Sequence, residues 1–600
     1  MRECLPFLRS SGGESVVLAL GTLYATYCLY SFYNGAASVA VVGEPSEVHV
    51  SAVTSLTLSL GCAAALAGAI DAEEGSPQGH LLGTFTLATL AGASRANAER
   101  DGSRLMPELL GTFVSLSVAA SNWKHARALG ASAGIQAACL ISVAQALGHL
   151  HHLQETYTWF TTICIPLAYF CSELGLLAKG RFQVASGDAL LISNGCVCVV
   201  LWCLMDWHSR WFVPPGGDVW DHPSPRSSGT PPRFWTLVTW VLAPLGGILP
   251  FELGWHFPWF FEDQEPPSAA APCAGGVKVL VQGQLLFASV MFIALVMRLS
   301  GSHHQDLRSV VTAAAICFLI ALQYVVGMLG LVEAFRTADL LLLGVESNVR
   351  LLLFWFCVVC IAIPAIALVA TGGYVANIVV RKLFHVAALA VFASAVHTHA
   401  QSGGAEGAGQ AVPLLRFCSA SVLCALVLCE FVRIQCKESS ISERMTSFFG
   451  RFTDSRDSGT LILSHLSLLL GLSVPFWFNI RAASSDDRAQ TEEADLLLLS
   501  SGILALGIAD VLGVLVGKNF GRLAICRGSK KTLEGTCAAI LGTVAFALTW
   551  DRMVGGQLIG STPTFVALCV GMCLLEAFTP HLDNLYIPLF FFTMVLLSKL

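Results

Sequence analysis

Residues 510–536 place two unlike chemistries side by side. Asp510 sits in "LALGIADVLGVLVG", a run that is otherwise apolar. A carboxylate in such a run is costly in hydrocarbon and marks a functional site by default. A few residues on comes "GKNFGRLAICRGSKKTLEGT" (517–536), which carries Lys518, Arg522, Arg527, Lys530 and Lys531 and no acid before Glu534. Gly517, Gly521, Gly528 and Gly535 allow close backbone approach, while lysines and free N–H groups suit phosphate oxygens. Thr532 and Glu534 precede another apolar run, so the start of that helix adds a place where anions bind well. On a helix, Asp510 would lie about 12 Å before Lys518 at ~1.5 Å per residue. An acid beside a phosphate-binding loop suits a divalent cation, which takes one or two carboxylates together with waters and substrate phosphates. Blander roles exist for both: Asp510 as the partner of a neighbouring helix, and the basic loop as a topology marker touching anionic headgroups. The loop is not a Walker A sequence. "GVLVGKN" (513–519) has too few residues between its glycines and Asn519 where Ser or Thr should be.

These residues need a membrane scaffold to position them. The chain has 600 residues, 55% hydrophobic and only 12% charged, with mean hydropathy +0.68. A soluble domain carries about 25% charged residues. Apolar runs of membrane-spanning length recur throughout, clearest at 15–33, 50–70, 157–178, 277–299, 309–331, 350–371, 459–479 and 585–600. With the weaker runs, the sequence predicts an all-α polytopic membrane protein of about 15–18 transmembrane helices. A spanning barrel would show short alternating strands instead. The net charge of −6 gives no case for nucleic acid. The 21 cysteines fall mainly in apolar runs, and Cys357 and Cys360, a CxxC inside one of them, read as a membrane-buried thiol pair. The apolar run after the short polar N-terminus has no obvious cleavage site and reads as a retained first helix. Residues 208–233 and 261–276 are Pro/Gly/Ser-rich loops.

From about residue 345 the loops become compact and asymmetric in charge. Arg381 and Lys382 are basic, 401–411 has no cation, 433–458 holds five cations, 480–495 is acidic, 517–535 is strongly basic, and 551–562 is nearly neutral. By the positive-inside rule the basic members of this series face the cytosol. One more crossing brings "TPHLDN" (579–584) to the same face. Four polar segments therefore converge there, as a site built from several loops requires. The chain accordingly divides into an N-terminal multi-pass region (1–345) and a catalytic membrane region (346–600).

At this point a family resemblance appears. "RKLFH" (381–385), "DSRDSGTLILSHLSLLLG" (454–471), "ALGIADVLGVLVGKNFGR" (505–522), "KKTLEGT" (530–536) and "EAFTPHLDNLYIPL" (576–589) resemble, in order and spacing, the motif series of the CTP-dependent polyprenol kinases, and of the dolichol kinase branch in particular. The resemblance covers about residues 375–600. It implies transfer of phosphate from CTP to dolichol at the endoplasmic reticulum membrane, feeding protein glycosylation. It assigns the nucleotide to the basic loop, with Lys518, Gly521, Arg522, Lys530, Lys531, Thr532, Glu534, Gly535 and Thr536 as its residues. Asp510, with Glu534 or Asp583, is then the expected holder of a divalent metal, Mg2+ or Ca2+. His385, Asp457 and His465 are expected to orient or deprotonate the substrate hydroxyl, and Arg381, Lys382 and Asn584 to lie on the lipid side. Glu430 and Glu576, near the same helix ends, are either metal ligands or helix-to-helix partners.

Three other readings stay open. One is a kinase for another lipid alcohol, such as phytol, farnesol or diacylglycerol. Another is a phosphatidate cytidylyltransferase-like enzyme, whose nucleotide region resembles "D…GK..GR…KKT.EG" but whose C-terminal Asp-Arg signature is absent here. The last is a multi-pass transporter, which would place polar groups near the midplane rather than at one face.

Overall fold

The computed structural model describes residues 158–182, 186–212, 273–298, 307–371, 377–401, 410–437, 439–450, 460–478, 495–525, 531–554, 558–579 and 583–598, with a few single positions elsewhere. All regular elements among them are helices, as expected for an all-α polytopic membrane protein. The N-terminal part contributes α1 (Thr158–Phe182), α2 (Ser186–Phe212), α3 (Cys273–Arg298), α4 (Leu307–Leu329) and the short α5 (Leu331–Leu342). Then follow α6, which runs through Glu346–Cys357, a π turn at Val358–Ala362 and Ile363–Thr371, and α7 (Asn377–Gln401), α8 (Ala411–Gln435) and α9 (Ser440–Gly450). The last group is α10 (Ser464–Phe478), α11 (Leu496–Gly502, a π turn at Ile503–Ala509, and Asp510–Phe520), α12 (Leu533–Met553), α13 (Thr562–Phe578) and α14 (Asp583–Ser598). Eight helices among the described residues are long and apolar enough to cross a membrane, and three shorter apolar ones accompany them. The expected spans at 50–70 and, but for single positions, 15–33 lie outside the described residues.

Some expected boundaries shift for physical reasons. α2 runs on through Trp207 and Trp211 to Phe212, past the start of the loop expected from residue 208. The span expected over 459–479 becomes helical only at Ser464. Ahead of it, residues 460–463 are non-helical because α8 claims their backbone. Arg433 donates to the Thr460 carbonyl, Glu430 accepts the Ile462 N–H, and the Thr460 N–H donates to the Phe182 carbonyl of α1. Glu430 and Arg433 also bind each other in a two-pronged pair. Glu430 is thus structural glue.

The core is continuous from α1 to α14 and does not break near residue 345. On α3, Gln284 donates to Ser421 of α8, and Cys424 donates back to the Gln284 carbonyl. α14 is buried along nearly its whole length, from Asp583 to Leu597. It is the apolar axis around which α10, α11 and α13 pack. α6 sits at the other extreme, with Leu353, Phe354, Phe356, Val359 and Ile361 exposed on its flank, as suits a lipid-facing helix.

Close approach in the site half depends on small residues. A Cβ on Gly535 of α12 would meet the Gly513 carbonyl of α11 at 2.6 Å and the Gly517 Cα at 3.0 Å. Gly513 and Gly517 stand one turn apart on α11, and Gly521 follows its last residue, a small-residue seam that lets two backbones touch. We therefore expect Gly535→Ala to lower the stability of the detergent-purified protein by about 1–3 kcal/mol, the usual cost of overpacking. Gly571→Ala, where an added Cβ meets nothing within 4 Å, should leave it unchanged or slightly raised. Thermal unfolding of the two variants side by side checks this.

Candidate active site

The site forms where α7, α11, α13 and α14 meet. Asp510 follows directly on the π turn of α11 and is 3% exposed. Such single π turns often mark functional positions, since the extra residue re-aims the side chains that follow. Lys382, in the second turn of α7, forms a buried ion pair with Asp510 Oδ2. His385, one turn later, places Nε2 3.3 Å from the same oxygen. Its Nδ1 is 2.8 Å from the Arg381 carbonyl, so Nδ1–H donates to the backbone. Nε2 is therefore the atom turned toward the site, and it also lies 3.3 Å from Asn584 Oδ1 at the start of α14.

Glu576, near the end of α13, and Asp583, the first residue of α14, complete an acidic triad with Asp510. Each offers an oxygen within 4.8 Å of the others, and all three are buried. Lys531 reaches this group from the other side. Its ammonium donates to the Glu576 carbonyl and lies 3.9 Å from Glu576 Oε1 and 3.6 Å from Asp583 Oδ2. An all-oxygen, carboxylate-rich donor set is what Mg2+ or Ca2+ prefers.

The basic loop has more order than its composition implied. Ala524 and Thr532 form an antiparallel bridge, Leu533 N–H donates to the Leu523 carbonyl (2.9 Å) and Ile525 N–H to the Lys531 carbonyl (3.2 Å). The described arms of the loop, 523–525 and 531–533, pair as a small hairpin between α11 and α12. Glu534 is used inside it: its carboxylate accepts the N–H groups of Arg522 (2.9 Å) and Leu523 (3.1 Å). That employment sets it apart from the triad, where it had been expected as a metal ligand beside Asp510. Thr532 caps α12 by accepting the Gly535 N–H, and Thr536 donates back to the Thr532 carbonyl. Gly521 and Gly535 serve the helix seam, because the space a side chain would need is filled by Thr532 and by the Gly513 and Gly517 backbones. Lys518 and Arg522 are exposed.

Of the expected residues, Lys382, His385, Asp510, Lys531, Asp583 and Asn584 are brought together, with Arg381 joined through its carbonyl. His465 stands at the start of α10 with its ring against Phe449 of α9, centroids 5.0 Å apart. Asp457 and Lys530 lie outside the described residues. Glu576 was weighed from the sequence as ligand or glue, and the structure places it in the triad. The signal was the one that marked Asp510, an acid inside an apolar helix.

Comparison with known proteins bears on what this geometry serves. Over 254 residues, 42% of this chain and 41% of the other, the chain is 29% identical to the dolichol kinase EVAN of Arabidopsis thaliana. It is 34% identical over 186 residues to mouse dolichol kinase (30% of this chain, 33% of that one) and 34% identical over 143 residues to dolichol kinase of Saccharomyces cerevisiae (23% and 24%). This chain is a relative of the dolichol kinases. The likeness spans about two fifths of the Arabidopsis protein's length and a third of the mouse protein's. No family model and no solved structure matches the chain.

The pairing of Lys382 with Asp510 gives a test that needs no assay of activity. Removing Lys382 leaves a buried carboxylate with less compensation, and breaking a buried pair costs about 3–5 kcal/mol. Lys382→Met should therefore destabilise the protein strongly, and adding Asp510→Asn to it should recover much of the loss. Thermal unfolding of the two single variants and the double variant measures the coupling.

Proposed function

We propose that this chain transfers the terminal phosphate of CTP to dolichol, giving CDP and dolichyl phosphate. The observation that carries the reading is the buried triad Asp510–Glu576–Asp583 flanked by Lys382, His385 and Lys531, built from the same segments that resemble the dolichol kinase motifs. Residues 346–600 are the catalytic part and 1–345 its membrane scaffold. The site faces the cytosol from the endoplasmic reticulum membrane.

Phosphoryl transfer asks a protein chiefly for positioning and charge neutralisation. Asp510, Glu576 and Asp583 would hold a divalent cation, magnesium or calcium. When bound, that ion draws negative charge from the phosphates and the leaving oxygen. Lys531 reaches toward the same phosphates, and Lys518, Arg522 and Lys530 are the further cations we assign to the nucleotide. The dolichol hydroxyl oxygen attacks the terminal phosphorus as the bond to the CDP oxygen breaks. We assign His385 to orient the hydroxyl: its Nδ1–H is committed to the Arg381 carbonyl, and its Nε2–H, set between Asp510 Oδ2 and Asn584 Oδ1, faces the site. Asn584 and Lys382 fix that imidazole and Asp510 in place. Asp457 and His465 are the candidates to take the hydroxyl proton. The choice of CTP as donor rests on the likeness to the polyprenol kinases.

Membranes containing the protein should pass label from γ-labelled CTP to dolichol, and ATP at the same concentration should serve far less well. Asp510→Asn should cut the initial rate by about 100-fold or more, the scale of losing one group that stabilises the transferring charge, with the protein still folded in the membrane. Near-normal activity of this variant would remove Asp510 from the site.

The orientation has its own test. Cysteines placed singly within 401–411 and within 517–535 should react with an impermeant thiol reagent from opposite sides of sealed microsomes, the second set from outside. Labelling from one side would overturn the topology.

A further inference from the structure

Lys531 already occupies an oxygen cage. Its ammonium contacts the Glu576 carbonyl, Glu576 Oε1 and Asp583 Oδ2, all at the junction where α13 ends and α14 begins. Those two carboxylates are also two of the three triad members. The third, Asp510, has Lys382 as its partner. Every carboxylate of the triad thus has an ammonium beside it. We infer that Lys531 is the exchangeable counter-ion of this cage: it holds Glu576 and Asp583 together before a divalent cation arrives, and gives up that place to the cation as its own charge turns to a nucleotide phosphate. The inference rests on the reading of the triad as a divalent-cation site.

The physical grounds are charge and mobility. Three buried carboxylates this close repel one another, so a cage without a cation would spread or take up protons. An ammonium resolves that conflict at no cost in covalent structure. It cannot share the same two carboxylates with a divalent ion, because the two cations would then stand a few ångströms apart in a medium of low dielectric. One of them must leave, and the two lysines are not equal candidates. The Lys382 side chain is 7% exposed and is enclosed with Asp510 and His385, whereas the Lys531 side chain is 28% exposed and sits at the edge of the hairpin. A lysine's four-carbon stem lets its charge move while the backbone stays put, and the Lys531 backbone is held by its bond to Ile525. The same lysine thereby stabilises the empty cage and delivers a positive charge to the phosphate when the cage fills.

The test uses the full-length protein in detergent and Mn2+ as probe, with free ion counted by electron paramagnetic resonance in the absence of nucleotide. Glu576→Gln is expected to weaken Mn2+ binding at least tenfold. Lys531→Met, which keeps an unbranched apolar stem and removes the charge, is expected to tighten it by about tenfold, an ordinary coupling between two ligands of one site. Lys531→Arg keeps a cation and should bind Mn2+ as the parent does. If Glu576→Gln binds Mn2+ like the parent, the triad is not a cation site and the underlying reading falls. If Glu576→Gln weakens binding while Lys531→Met leaves it unchanged or weaker, the cation site stands and the counter-ion role of Lys531 is overturned.

Discussion

A buried carboxylate, Asp510, sets the terms for everything around it. Surrounded by apolar residues, it persists only with positive charge and hydrogen-bond donors close by. Lys382 and His385 from α7 answer that need directly. Once they are fixed, the start of α7 is tied to the second half of α11, and Asn584 ties both to α14. Glu576 and Asp583 then enter the same small volume from the junction of α13 and α14, and Lys531 comes in from the hairpin to keep them together. Four helices converge because their charges are soluble in that setting only as a group.

Such convergence needs backbones that approach closely. The glycines of α11 and α12 provide that approach, and a bulky side chain at Gly513, Gly517 or Gly535 would push the hairpin away from the triad. The same logic recurs deeper in the bundle. Gly471 of α10 lies against the backbone of Asn584 and the ring of Pro588, and Gly502 of α11 against the carbonyl of Gly471. The first turn of α14, with Asp583 and Asn584, is thereby held close to α10, and α10 in turn close to α11. Asp583 also benefits from its place at a helix N-terminus, where a negative charge is favoured.

The N-terminal helices share in this construction. The carbonyl of Phe182, at the end of α1, accepts the Thr460 N–H, while Arg433 of α8 takes the Thr460 carbonyl. The segment that leads into α10 is therefore held between the two halves of the chain. A scaffold role for the N-terminal region fits these contacts better than an independent unit would, since one hydrophobic core runs through both.

Asp510 stood out from the sequence by itself, because an acid in a long apolar run violates the pattern around it. The helical, membrane-spanning character was equally plain from composition and run length, and the motif order pointed to the dolichol kinases. The partners of Asp510 were not legible in that way. Lys382 is 128 residues away in the chain, and no local pattern states which of several nearby cations will meet a given carboxylate. Glu534 illustrates the point from the other side. By type and position it matched a metal ligand, yet two backbone N–H groups of the hairpin claim it, since a turn must satisfy its own amides before it can serve anything else. The loop glycines likewise fitted phosphate binding by composition, and helix packing uses Gly521 and Gly535 instead. Residue type and spacing determine what a side chain is able to do. The tertiary structure decides which of those options is taken, because burial and competing partners act only once distant segments have been brought into contact.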